Sequence, residues 1–268
     1  MLVNAFKITF AARSATLLVL AAALIALSTM RGIAADPDAL WKIVHDRCVP
    51  NAEKSGQPTP CALVDLQGGG DTGYAVLKDL VGVAQFLLIP TSRLGGIESP
   101  ELLAASAPNY WEDAWQARRY VESKVGRALD RDAVGLAINS ASGRSQAQLH
   151  IHVDCLRPDV RAFLRAHEDE IGSSWSPPRF HLSGHPYRAM RIAGGELGGA
   201  DPFKLLAGGV PGARASMASR TLVMTGASFA DGKDGFYLLT DQVDLLAGDF
   251  ASGEELLDHD CAVAKSLP

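Results

Sequence analysis

The stretch Leu149–Cys155, LHIHVDC, restricts the fold of this chain more than any other. Successive side chains of a β-strand point to opposite faces, and an apolar residue at every second position marks a strand with one buried side. Leu149, Ile151 and Val153 therefore form a core-facing row, while Gln148, His150, His152 and Asp154 form the other. A helical period would scatter both rows. Four polar groups in line, two of them imidazoles, either meet water or do chemistry.

Three uses of that row compete on the residues alone. The blandest is an exposed sheet face that happens to carry histidines. The second is chelation, because His-x-His on a strand brings two imidazole nitrogens to one zinc or iron, with Asp154, His181 or His185 completing the set. The third is nucleophilic catalysis by one imidazole on a phosphorylated substrate. The preceding loop, NSASGRSQ from Asn139 to Gln146, favours the third use. Gly143 permits a tight backbone path, Asn139 and Ser145 are neutral donors and Arg144 is a cation, the parts of a small anion cradle. The same residue types also make ordinary turns.

The chain has 268 residues, enough for one domain with a self-sufficient core, and its formal charge of -5 argues against general nucleic-acid binding. Ahead of that domain, Lys7 and Arg13 precede an uncharged run from Ser14 to Met30. Such a run suits a cleavable signal, with Gly32–Ala35 supplying small residues, or an uncleaved anchor at the short end of spanning length. Either alternative exports the body. Export fits the even number of cysteines, Cys48, Cys61, Cys155 and Cys261. Connectivity is not readable from spacing; the favoured choice pairs Cys48 with Cys61 and Cys155 with Cys261, with four free thiols as the alternative.

Elsewhere the pattern predicts strands, helix, strands, helix. Asp36 and Pro37 open a helix carrying Leu40, Ile43, Val44 and Arg47, ending at Cys48 and Pro50. CALVDL, GYAVLKD and AQFLLIP read as a meander, and Pro100 opens a short helix. PNYWEDAWQARRYVESKVGRAL reads as the longest helix, with Tyr110, Trp111, Ala114, Trp115, Arg118 and Val121 as its packing stripe. VGLAIN pairs with the histidine strand, and a further helix starts at Pro158. This order predicts an α+β fold, an antiparallel sheet with helices on one face. Beyond Ser173 only TLVMTGASF and GFYLLT carry a strand signal, so that region is expected to be a C-terminal elaboration of the same domain.

Loop and strand together, AINSASGRSQAQLHIHVDCLRPDV, resemble the histidine-triad superfamily of nucleotide hydrolases and transferases, and within it the membrane-linked CDP-diacylglycerol pyrophosphatase family. YAVLKDLVGVAQFLLIPTSRLGGIESPELL and PNYWEDAWQARRYVESK look like the strands and helix that precede the site in that family. The resemblance covers most of the chain after residue 40, all four cysteines included. It implies an anchor or signal segment in residues 1–35 and a histidine-triad-like catalytic domain in 36–268. It also implies a bacterial inner-membrane protein with its catalytic domain on the periplasmic side, or a secreted form if the segment is cleaved.

On this resemblance His152 attacks the phosphorus bonded to cytidine in CDP-diacylglycerol, phosphatidate leaves, and water releases CMP from a nucleotidyl-histidine. His150 orients the neighbouring ring, and Asn139 and Gln146 hold the loop and the reacting oxygens. Arg144 and Ser145 bind substrate, a role inferred from their chemistry. The superfamily runs this reaction without a protein-held metal, so no cofactor is implied, and homodimerisation is left open. Two positions depart from the superfamily pattern. Asp154 stands where most members have a third histidine and is expected either to orient a ring N–H or to face water. Arg93 stands where many members have histidine after an Ile-Pro turn and is a candidate for binding the diphosphate. His45, His167 and His259 carry no expected role, and His181 and His185 are watched only as a loop pair. The competing functions are a metal-dependent phosphohydrolase ligated through His150 and His152, and a nucleotide- or lipid-binding module without turnover.

Overall fold

A computed structural model describes residues 36–66 and 69–265, so the expected anchor or signal segment lies outside the described residues. The first helical stretch runs from α1, Ala39–Ile43, through a π-helical turn, Val44–Cys48, into α2, Val49–Ser55. It neither starts at Pro37 nor stops at Pro50. Pro50 lies where the π-helical turn passes into α2, and Gly56 ends the stretch in a left-handed conformation at φ 69°.

Nine antiparallel strands make one sheet in the order β1-β2-β3-β5-β4-β8-β9-β7-β6. They are β1 Leu63–Asp65, β2 Tyr74–Lys78, β3 Phe86–Pro90, β4 Val134–Ile138, β5 Ile151–Cys155, β6 Phe180–Leu182, β7 His185–Ala193, β8 Leu222–Ser228 and β9 Asp234–Thr240. The remaining α-helices among the described residues are α3 Tyr110–Val125, α4 Pro158–Ala166, α5 Pro202–Gly209 and α6 Ala262–Lys265. The α+β expectation holds, but the region after Ser173 is more than an elaboration. It supplies four of the nine strands, with β8 paired directly to β4 in the middle of the sheet.

Helices cover both faces, not one. On the first face, Ile151, Val153 and Cys155 join Leu88 and Leu136 in a core closed by Trp111, Trp115 and Val121 of α3 and by Phe203 of α5. On the other face there are two smaller clusters. Leu40 and Val44 of the N-terminal helical stretch pack on Ala75, Leu77, Leu87 and Ile89, while Val160 and Leu164 of α4 pack with Ala137, Val223 and Leu239. His152 sits opposite Leu87 on β3 and Ala137 on β4, so the histidine row runs between those two clusters. The alternation of β5 thus places its apolar row in the main core and its polar row under partial cover.

Both favoured disulfides are present, Cys48–Cys61 within the N-terminal stretch and Cys155–Cys261 between β5 and the residues just before α6.

Candidate active site

The histidine row is not a wetted face: Gln148, His150, His152 and Asp154 are all buried. His150 and His152 form the floor of a cavity of about 600 Å³, whose walls include Ser145, Gln146, Lys78, Arg47, Asp79 and Glu254. The two imidazoles meet edge to face with centroids 4.9 Å apart. Burial holds both well below the ordinary histidine range, to about 4, and for His150 the neighbouring His152 adds to the effect. At neutral pH both rings are uncharged and keep a nitrogen lone pair.

Hydrogen-bond partners assign the tautomers. His150 Nδ1 lies 2.7 Å from Gln148 O, and a carbonyl only accepts, so Nδ1 carries the proton and the lone pair is on Nε2. His152 Nδ1 lies 3.1 Å from Gln85 Nε2 and 3.3 Å from Glu254 Oε1. Gln85 has two N–H groups, and carboxylates of Asp79 and Glu254 stand 2.7 and 3.2 Å from its Nε2. With both hydrogens directed there, His152 Nδ1–H points at Glu254, and His152 Nε2 is left buried without a hydrogen-bond partner.

The expected residues divide into a group at the cavity and a group behind it. Gln146 lines the cavity and accepts a hydrogen bond from Leu40 N at 3.1 Å, tying the loop to α1; Ser145 lines it beside Gln146. Asn139 is behind, donating to Glu254 Oε2 and accepting from Glu254 N and Ser252 Oγ, each at 3.2 Å. Its contact is with the carboxylate that faces His152. Arg144 turns away and forks onto Glu98, Nη1 to Oε2 at 2.7 Å, and Arg93 pairs with Asp38 over the ring of Trp41. Neither lines the cavity. The loop is a weaker anion cradle than its composition predicts, because its first N–H groups are already used. Ser140 N bonds Ala251 O, Ala141 N bonds Ala218 O, and Ser142 N and Gly143 N both bond Ser140 Oγ.

Asp154 does orient an imidazole, but a distant one. It is fully buried, and its Oδ2 accepts from His259 Nδ1 at 2.9 Å while Oδ1 accepts from Cys155 N at 2.8 Å. Burial raises its carboxyl to about 6 against the opposing pull of His259. His259 Nε2 in turn lies 3.6 Å from Glu254 Oε1. A chain of contacts therefore runs from Asp154 through His259 and Glu254 to His152. Sequence reasoning missed Gln85, Glu254 and His259 in this network. The available signal was Cys261, whose bond to Cys155 draws His259 alongside Asp154. His181 is exposed on β6, and His185 bonds Glu255 at 2.9 Å. Among the described residues, His185, Asp241 and Asp249 form a group at metal-ligand spacing, a group without His150 or His152.

Two buried imidazoles, backed by carboxylates, open on a cavity whose wall also carries Arg47 and Lys78, an arrangement that suits attack on an anionic substrate. The family profile described as CDH, CDP-diacylglycerol pyrophosphatase, matches residues 35–265. A CDP-diacylglycerol pyrophosphatase of Yersinia pestis is 45% identical over 231 residues, covering 86% of this chain and 86% of the relative. The chain belongs to the CDP-diacylglycerol pyrophosphatase family.

Proposed function

We propose that this chain cleaves the diphosphate of CDP-diacylglycerol to CMP and phosphatidate through a phosphorus–imidazole intermediate. The supporting observation is the locked tautomer of His150, whose committed Nδ1–H leaves Nε2 as the nucleophile at the cavity floor. Nε2 attacks the phosphorus bonded to cytidine, and the bond from that phosphorus to the bridging oxygen breaks. Phosphatidate leaves with the electron pair, and the ring becomes a cationic phosphoryl-imidazolium whose Nδ1–H still faces Gln148 O. Water then attacks the same phosphorus and releases a proton to solvent, the N–P bond breaks with its electron pair returning to Nε2, and CMP departs from a neutral ring. Arg47 and Lys78 are the cations on the cavity wall, and Ser145 and Gln146 donate to the phosphoryl oxygens. This reading assigns to His150 the attack that the sequence reading assigns to His152.

A second reading keeps the bond on His152. Its support is the 3.3 Å approach of Glu254 to Nδ1, which leaves Nε2 bare and able to attack. Both readings share one reaction and a histidine-triad-like core made of β4, the loop and β5. They also share residues 1–35 as an anchor or signal that delivers 36–268 to the periplasmic side of the membrane, where its substrate lies.

Hydrolysis in ¹⁸O-water followed by mass spectrometry tests the reaction. Label in CMP is expected; label in phosphatidate would mean attack on the other phosphorus and would reject the mechanism. Peptide mapping of enzyme quenched in denaturant at alkaline pH, where the N–P bond survives, chooses between the readings by placing the nucleotidyl group at position 150 or 152.

A further inference from the structure

We propose that the loop Asp79–Val83, together with α1, is the face that this chain sets against a lipid bilayer, with Leu80 and Val81 reaching among the acyl chains. The proposal rests on the reaction proposed above for its choice of occupant.

Three aliphatic side chains stand out in water within four residues of this loop. Leu80 is fully exposed, and Val81 and Val83 are about half exposed at 53% and 52%. The loop is held in that posture. Lys78 Nζ donates to Asp79 O at 2.7 Å and Gly82 O at 2.9 Å, Val81 N bonds Asp79 Oδ1 at 3.2 Å, and Val83 N bonds His259 O at 2.8 Å. Gly82, at φ 73°, makes the turn that directs its neighbours outward. A rigid loop with apolar tips does not fold them back into the body, so its exposed surface has an occupant to meet.

The cavity says which occupant. Leu80 and Val81 line the cavity together with Leu40 and Ile43 of α1 and the two histidines. For a diphosphate held at the floor, this apolar side offers its diacylglycerol tails a way toward the loop. Arg47, exposed at the same cavity, stands where anionic headgroups would lie. Chain continuity agrees. Asp36, where the described body begins, is three residues from Ala39 on the cavity wall, at most about 11 Å of extended chain. The uncharged run Ser14–Met30 precedes it.

The test uses the full chain in phosphatidylcholine vesicles, with and without brominated acyl chains, and reads tryptophan emission. Leu80→Trp should add emission that the brominated lipid largely abolishes. Gln116→Trp, on an exposed position of α3 across the sheet, should add emission that it leaves alone. An unquenched Leu80→Trp in a chain that sediments with the vesicles, or a chain that does not sediment with them, overturns the proposal. So does a photoreactive residue at position 80 that captures a second copy of the chain instead of lipid. If no CMP is released from CDP-diacylglycerol while Leu80→Trp is still quenched, the proposed reaction falls and the bilayer face stands.

Discussion

Lowering the pH from about 8 to about 5 should leave turnover almost unchanged, because the imidazoles at the cavity floor titrate near 4 and not at the ordinary 6.5. With a midpoint near 4, about 90% of such a ring is neutral at about pH 5; with a midpoint of 6.5 only about 3% would be. The two cases differ roughly thirtyfold in the amount of competent nucleophile. The same burial has a stability consequence of definite sign. As pH falls below 6.5 the unfolded chain binds protons that the folded rings refuse, so stability present at neutral pH is progressively lost until the folded rings themselves titrate near 4. The loss is on the order of 3 kcal/mol for the first ring, and the second, only 4.9 Å away, is harder still to charge. Acid should therefore stop the enzyme by unfolding it, not by titrating the nucleophile. Initial rates of CMP release across the pH range, with far-UV circular dichroism on the same samples, separate the two. Asp154, raised to about 6, contributes at most a shallow step in this window, and that step should vanish in Asp154→Asn. An acid limb centred on 6.5 that survives this substitution in a folded enzyme would refute the reasoning.

Further outcomes follow from the same network. Asp154 carries a carboxyl raised to about 6, so the folded state favours its protonated form, and that contribution to stability is lost as pH rises from 3.8 through 6. Relative to wild type, Asp154→Asn should gain up to about 2 kcal/mol in urea unfolding on going from about pH 4 to about pH 8, after allowing for the lost contact with His259. On the reading that places the bond on His152, Glu254→Gln should lower kcat roughly a hundredfold with little change in KM, and Asn139→Ala, which releases the same carboxylate, should lower it less. A raised KM with kcat unchanged would argue against a role beside His152. Replacing Cys155 and Cys261 with alanine opens a loop with a sequence separation of 106, against 13 for Cys48 and Cys61. Chain entropy puts the two losses at about 5 and about 3 kcal/mol, so urea midpoints should fall further for the long-range pair.

The strands legible in the sequence were those whose two rows differ sharply. β2, β3, β4 and β5 alternate or run apolar because their side chains meet a core on at least one face. β7 escaped because Pro186, Arg188 and Arg191 interrupt its pattern, which a strand near the sheet edge tolerates since charged heads still reach water. The π turn before Pro50 was unreadable because the local residues look like a helix end, and only packing on β2 and β3 carries the chain onward. At the site, His150, His152 and Gln146 announce themselves through spacing on one strand and its loop. Arg144 and Arg93 had the right charge but found local partners in Glu98 and Asp38, a choice set by tertiary neighbours. Glu254 and His259 lie about a hundred residues downstream of the strand they serve, in a stretch with no periodic pattern.

The bond between Cys155 and Cys261 ties chemistry to geography. It clasps His259 against Asp154, and through the backbone of Val83 it also steadies the apolar loop. A copy of this protein held under reducing conditions would lose the clasp and with it the alignment of both. The disulfide thus couples the packing of the histidine strand to the order of the Asp79–Val83 loop, and its reduction would loosen both together.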